Sequence, residues 1–231
     1  MVLLVIAIVS AALIAGAVWG LWIGMSKTTE GLLLALAGGA LIHALVAEML
    51  APAVENSGLL PTVIAALAGA AVFTFADRAV DRRMRNAGGW GLMLAIMLDG
   101  IPENLALGVT LIHAGPLEAA ALAGAILLSN LPEAAGGARE MARDGMSRGK
   151  GLALWSGAAV LLSGAALAGN KLLAGVPEAW LGPIDAFAAG AVVASLAAEV
   201  FPKAFEESHF ATGIAVAAGL LLALGLGELG G

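Results

Sequence analysis

The sequence contains no cysteine and few charged residues. Without cysteine the chain has neither disulfides nor thiolate metal sites. Charged residues make up 12% of the chain, whereas a soluble domain carries about a quarter. Hydrophobic residues make up 61%, and the mean hydropathy is +0.98. One soluble core of this size cannot bury so much apolar surface, so the solvent must be lipid. The 11 basic residues form no stripe interleaved with aromatics, which argues against nucleic-acid binding.

The apolar runs predict membrane-spanning helices. They are continuous and about 20 residues long, as a spanning helix requires, and they do not alternate as barrel strands do. We therefore predict an all-α polytopic membrane protein with a single membrane domain over residues 1–231. We expect the first run to be a retained helix rather than a signal peptide, because it lacks a basic n-region. Breaking the runs at glycine, proline and charge clusters predicts eight transmembrane helices, at roughly 1–24, 31–54, 59–76, 90–112, 117–138, 151–174, 181–205 and 210–228.

The basic residues predict the orientation of these helices. In the eight-helix plan ten of the 11 fall on one side of the membrane, and only Lys171 falls on the other. The longest polar connections, 77–89 and 139–150, lie on the basic side. Because basic residues concentrate in cytoplasmic loops, we expect both termini outside and a multi-pass location in the cell membrane, inner or plasma.

The sequence also repeats internally. A shift of 151 overlays residues 36–55 on 187–206 with eight of twenty positions identical. The identical positions include Gly39 and Gly190, Glu48 and Glu199, and Glu55 and Glu206. A shift of 30 overlays residues 96–103 on 126–133. The pairs are segments two and seven and segments four and five, whose positions in the chain differ by five and by one. Both differences are odd, so the related helices run in opposite directions. This pattern predicts inverted repeats, which are typical of secondary transporters.

Polar side chains within segments four and five are the main candidates for function. An ionisable group at the bilayer centre costs about 2.5–3.5 kcal/mol on insertion scales, so its presence needs a reason. Asp99 and Glu103 are four residues apart and share one helix face. If the two segments face each other, their oxygen ligands suit a hard or borderline divalent cation. These candidate metal ligands are Asp99, Glu103, Asn104, Ser129, Asn130 and Glu133.

A proline precedes each glutamate of the two segments. Pro102 and Pro132 remove the backbone bonds to the carbonyls of Leu98 and Leu128, and a freed carbonyl is a further oxygen ligand. The alternative is a plain packing kink beside a neutral, hydrogen-bonded glutamate. The occurrence of the same Pro-Glu pair on two related helices favours the functional interpretation.

Three further residues are weaker metal candidates. Glu48 and Glu199 lie toward the ends of segments two and seven, where they either contact metal or face water at the interface. His43 lies one turn before Glu48 and is either a ligand or a packed helix histidine.

A glycine series in the first segment predicts a close helix contact. Gly16, Gly20 and Gly24 have the four-residue spacing that lets helices approach. The contact lies either inside the monomer or in a homodimer.

Taken together, these motifs resemble the ZIP (Zrt/Irt-like) family of metal transporters. In that family the fourth helix usually reads His-Asn-x-Pro-Glu-Gly, and the fifth has a His or Gln and an acidic residue before x-Pro-Glu. This chain has Asp99-Gly-Ile-Pro-Glu-Asn104 and Ser129-Asn-Leu-Pro-Glu133, so the Pro-Glu pairs match while both histidines are absent. The Glu199-Val-Phe-Pro202 stretch resembles the family's pattern in the seventh helix. The family's histidine-rich cytoplasmic loop is also missing.

The resemblance implies a transporter, not an enzyme, that carries divalent cations into the cytoplasm between helices four and five. Asp99, Glu103, Asn130 and Glu133 would be the main ligands and offer no nitrogen donor. This set favours Mn²⁺, Fe²⁺ or Mg²⁺ over Zn²⁺. One rival is a metal-binding sensor or scaffold of the same fold. Another is an intramembrane hydrolase, which the absence of Gly-x-Gly-Asp and His-Glu-x-x-His patterns disfavours.

Overall fold

A computed structural model describes residues 2–84, 89–113 and 116–228 of the chain. These residues form eight continuous helical rods and contain no strand, which confirms the all-α prediction for the described part. In chain order the rods are α1 (Val2–Ile23), α2 (Lys27–Ser57), α3 (Leu59–Met84), α4 (Gly89–His113), α5 (Pro116–Arg143), α6 (Arg148–Leu172), α7 (178–208) and α8 (Ala211–Glu228).

Several rods are longer than the apolar runs that predicted them. α3 continues through Met84, although the run ends near residue 76, and α5 continues to Arg143 rather than ending near 138. The polar stretches expected as loops are therefore helical in part. The reason is that charge keeps a residue out of hydrocarbon but does not stop a helix, so hydropathy marks the apolar part only.

α2 begins earlier than expected, at Lys27. The hydroxyl of Ser26 accepts a hydrogen bond from the Thr29 backbone N–H at 3.1 Å, an N-cap that satisfies one of the helix's free donors. As a result Glu30, outside the predicted segment, lies in the first turn of the helix.

Three rods contain a π-helical turn. One ends α1 at Trp19–Ile23, and the others interrupt α2 at Leu45–Leu50 and α7 at Leu196–Val200. The turns in α2 and α7 come just before Pro52 and Pro202, which cannot donate to the carbonyl four residues back. A wider turn gives the proline ring room, so the local sequence accounts for both interruptions.

Glycines set the closest approaches between rods, and these approaches occur in matched pairs. A Cβ at Gly39 would overlap the Val216 carbonyl oxygen where α2 packs on α8. A Cβ at Gly190 would overlap the Ala66 carbonyl oxygen where α7 packs on α3. The two glycines are the pair that the 151-residue shift aligns. α1 packs along α5, and α4 packs along α6.

The glycine series of α1 contacts the same chain. A Cβ at Gly16 or Gly20 would overlap a backbone carbonyl of α5, at Leu131 or Ala135 respectively. Gly24 instead ends the helix with a φ of +81°, a conformation that favours glycine. The close contact made by Gly16 and Gly20 therefore lies inside the monomer.

The outer surface of the bundle is apolar. α3 exposes Leu67 and Phe75, and α8 exposes Ile214 and Leu226. Five rods (α1, α2, α3, α6 and α7) are long and apolar enough to cross a membrane, and α8 is a shorter apolar helix. The fold is thus consistent with a multi-pass membrane protein.

Candidate functional site

The polar residues of α4 lie inside the bundle. Glu103 is 7% exposed and Asn104 is 1% exposed. The Asn104 side-chain Nδ2 donates a hydrogen bond to the Gly100 carbonyl, one turn back in the same helix, at 2.9 Å. Asp99 belongs to the helix, but its side chain lies outside the described part of the structure. The interior of the bundle at α4 therefore holds at least one carboxylate and one carboxamide.

The polar residues of α5 are buried as well. Ser129 is 4% exposed and Asn130 is 2% exposed, while Glu133 is half-buried. The Asn130 Nδ2 donates to the Val9 carbonyl of α1 at 3.3 Å. This bond ties α5 to α1 and fixes the orientation of the carboxamide.

The described side chains do not form a preassembled multi-carboxylate cage. Among them, no three His, Asp or Glu groups come close enough together to hold a metal ion. α4 and α5 contact each other, and each of Glu48, Glu103, Glu133 and Glu199 takes part in a hydrogen-bonding or electrostatic interaction. A cation site between the two helices would thus use Glu103 and Glu133 together with amide, hydroxyl or backbone oxygens.

The two weaker glutamates lie in the π-helical turns. Glu48 is in the turn of α2 and Glu199 in the turn of α7, and both are half-buried. π-helical turns are frequent at functional sites, because the wider turn changes the direction of side chains and carbonyls. The sequence pattern aligned these two glutamates, and the structure gives them the same local geometry.

His43 lies against α8. Its Nε2 is 3.5 Å from the position that a Cβ would occupy at Gly227. The histidine is half-buried and belongs to no described three-residue group of potential ligands.

A charged pocket, not predicted from the sequence, lies at one end of the bundle. It is a cavity of about 350 Å³ between the start of α2 and the ends of α5 and α7. Besides Gly136, its lining consists of four basic and four acidic residues, namely Lys27, Arg139, Arg143 and Lys203 with Glu30, Glu140, Glu206 and Glu207. We call this cavity the charged pocket.

Glu30 is the buried centre of the charged pocket. Only 1% of its side chain is exposed. Its Oε2 accepts from Nη2 of Arg139 on α5, and its Oε1 is 2.9 Å from Nζ of Lys203 on α7. Arg139 Nη1 also donates to the Met25 carbonyl before α2. Two cations offset the cost of burying one carboxylate, and removing a partner from such a pair costs about 3–5 kcal/mol.

One sequence signal for Glu30 was available. Ser26 before Lys27-Thr28-Thr29 is a helix start, which places the following glutamate in the first turn. Its partners were not readable, because Arg139 is 109 positions away along the chain.

Asp185 is a second carboxylate that sequence reasoning missed. It lies in α7 two residues after Pro183, and its Oδ1 is buried without a hydrogen-bond partner among the described residues. Its sequence signal is the same as that of Asp99 and Glu103, an ionisable residue inside an apolar run.

No model of a known protein family matches the chain, and no curated protein sequence matches it significantly.

Proposed function

We propose that this chain is a ZIP-like transporter that moves divalent metal cations across the membrane into the cytoplasm. The observation that carries the proposal is the row of buried polar side chains on two adjacent proline-containing helices. Glu103, Asn104, Ser129 and Asn130 are all less than 9% exposed inside a bundle whose outside is apolar. Polar groups buried at such a cost inside a membrane bundle are typical of ion pathways.

In this proposal all eight rods span the membrane. The matched glycine contacts of α2 with α8 and of α7 with α3 support an inverted-repeat architecture, as does the shared π-helical turn. In the orientation that the basic residues favour, the charged pocket would lie on the cytoplasmic side and both termini outside.

The substrate would bind between α4 and α5. Glu103 and Glu133 would supply carboxylate oxygens, Asp99 a third, and Asn130 a carboxamide oxygen. Asn104 and Ser129 would support them. Glu48 and Glu199, in the π-helical turns, would each form a neighbouring or exit site rather than one joint site, because α2 and α7 run in opposite directions in this topology. A ligand set of oxygens alone suits Mn²⁺, Fe²⁺ or Mg²⁺. It also binds Zn²⁺, but it prefers Zn²⁺ less strongly than a set with histidine does.

Uptake of labelled Mn²⁺ into proteoliposomes tests the proposal. The purified protein should accumulate Mn²⁺ inside vesicles above protein-free vesicles, and Glu133→Gln should remove the difference. Binding of Mn²⁺ in detergent without accumulation in vesicles would instead identify a sensor or scaffold. If the protein neither binds nor takes up Mn²⁺, Fe²⁺, Mg²⁺ or Zn²⁺, the proposal is wrong.

A further inference from the structure

The charged pocket lies about one helical turn from the proposed cation site along one face of α5. Gly136 follows Glu133 by three residues, a rise of about 4.5 Å along the helix, so the two lie on neighbouring positions of one face. A Cβ at Gly136 would overlap Oε1 of Glu30. The Glu30 carboxylate therefore lies about one helical turn from Glu133, between that residue and the cavity.

Two basic side chains bind the Glu30 carboxylate. Arg139 and Lys203 contact opposite oxygens of Glu30, and they come from two different helices, α5 and α7. Their side chains are 17% and 38% exposed, so each has open space toward the cavity. A divalent cation that reached Glu30 would compete with both groups for the same two oxygens.

The other charges of the charged pocket are arranged nearer its rim. Lys27 pairs with Glu207 at 3.0 Å, and Lys27 is 58% exposed. Glu140, Arg143 and Glu206 complete the lining. Among the ion pairs described, the one between Glu30 and Arg139 joins α2 to α5, the helix that carries Asn130 and Glu133.

We propose that Glu30 is the gate of cation exit: Arg139 and Lys203 keep the exit closed by occupying its carboxylate, and a cation arriving from Glu133 opens it by taking their place. This inference rests on the proposed transport function. It assigns Glu30 a role in release rather than in selection of the ion. It also explains why the carboxylate is buried next to a glycine, since only a residue without Cβ leaves room for Oε1 at position 136.

The chain has no native cysteine, so one introduced cysteine reports access without background. We place it at Ala106, which is buried in α4 one turn beyond Glu103 and outside the proposed ligand set. Ala106→Cys is the parent protein of the variants below. The rate of labelling by a membrane-impermeant maleimide is then measured from the cytoplasmic face of inverted vesicles. Two changes open the gate by different means. Glu30→Gln removes the charge, and Gly136→Ala keeps every charge but displaces the flexible end of Glu30.

Each change has a matched control. Lys27→Gln breaks an exposed ion pair of the same pocket, and Gly124→Ala adds a Cβ on α5 where nothing lies within 4 Å. Glu30→Gln and Gly136→Ala should each raise the labelling rate about tenfold, equivalent to ~1.4 kcal/mol in the closed–open equilibrium. The two controls should stay within about twofold of the parent protein. If Glu30→Gln fails to fold, Gly136→Ala decides.

Added Mn²⁺ tests the exchange itself. Saturating Mn²⁺ should speed labelling of the parent protein and leave Glu30→Gln unchanged. Labelling of Glu30→Gln and Gly136→Ala at the control rate would overturn the gate. If the parent protein takes up Mn²⁺ in proteoliposomes but Mn²⁺ does not change its labelling rate, the exchange mechanism is wrong. A protein without metal uptake would contradict the proposed function instead, and the two variants would still show whether Glu30 closes this end.

Discussion

Glu48 of α2 and Glu199 of α7 occupy the same place in two π-helical turns. An α-helix of 18 residues precedes each turn, and a proline follows it. The turns begin at Leu45 and Leu196, the positions that the 151-residue shift aligns. The two helices therefore share their irregularities as well as their sequence, which supports treating them as repeats.

The first prediction tests the contact between α2 and α8. Gly219→Ala should lower the stability of the protein by about 1–3 kcal/mol, because the added Cβ would overlap the Leu36 carbonyl oxygen and push α8 off α2. Gly225→Ala, on the same helix with nothing within 4 Å, is the matched control. Thermal unfolding in detergent is the measurement. Equal melting temperatures for the two variants would show that the α2–α8 contact is looser than described.

The second prediction concerns topology. A single cysteine at Ala87 or Ser147 should react only from the cytoplasmic side, and one at Gly175 only from outside, because nearly all basic residues fall on the first side. Ser147 is exposed and its side chain makes no cap hydrogen bond, so the substitution is mild. If an impermeant reagent labels Ala87→Cys or Ser147→Cys in intact cells, the proposed orientation is wrong and the opposite one holds.

The third prediction separates the buried carboxylates from exposed ones. Glu103→Gln or Glu133→Gln should abolish metal uptake while the protein still folds, because each change replaces a charged carboxylate ligand with a neutral carboxamide of the same size. Glu55→Gln removes an exposed glutamate of α2 and should transport normally. Uptake and size-exclusion profiles are measured side by side. Wild-type rates in both buried variants would place the pathway elsewhere.

The helices were predictable because apolar runs are a local signal, whereas the partners of buried side chains were not. Asn130 was recognised as a candidate from its neighbours, but its bond to Val9 spans 121 positions. Trp155 shows the same limit. It lies near the start of the apolar run at 151–174, where aromatic side chains often mark the membrane interface. In the structure it is fully buried among α1, α4 and α5, because this face of α6 packs against them. The hydropathy of an apolar helix does not predict which of its faces contacts protein and which contacts lipid.

The last prediction is about ion selectivity. Asp99, Glu103, Asn130 and Glu133 offer oxygen ligands and no nitrogen, so uptake should favour Mn²⁺ or Mg²⁺ more than a site with imidazole would. Zn²⁺ also binds carboxylates, and its intrinsic affinity exceeds that of Mn²⁺, so we expect a partial shift rather than exclusion. Asp99→His should move the preference back toward Zn²⁺, because imidazole suits Zn²⁺, while Asp99→Asn serves as the control that removes the charge without adding that ligand. The measurement is uptake of labelled Zn²⁺ challenged with Mn²⁺ or Mg²⁺. Mn²⁺ and Mg²⁺ are each added at about tenfold excess over Zn²⁺, which corresponds to a difference of roughly 1.4 kcal/mol in binding free energy. If neither ion reduces Zn²⁺ uptake, the oxygen-only site is wrong. A nitrogen ligand such as His43 must then complete the site.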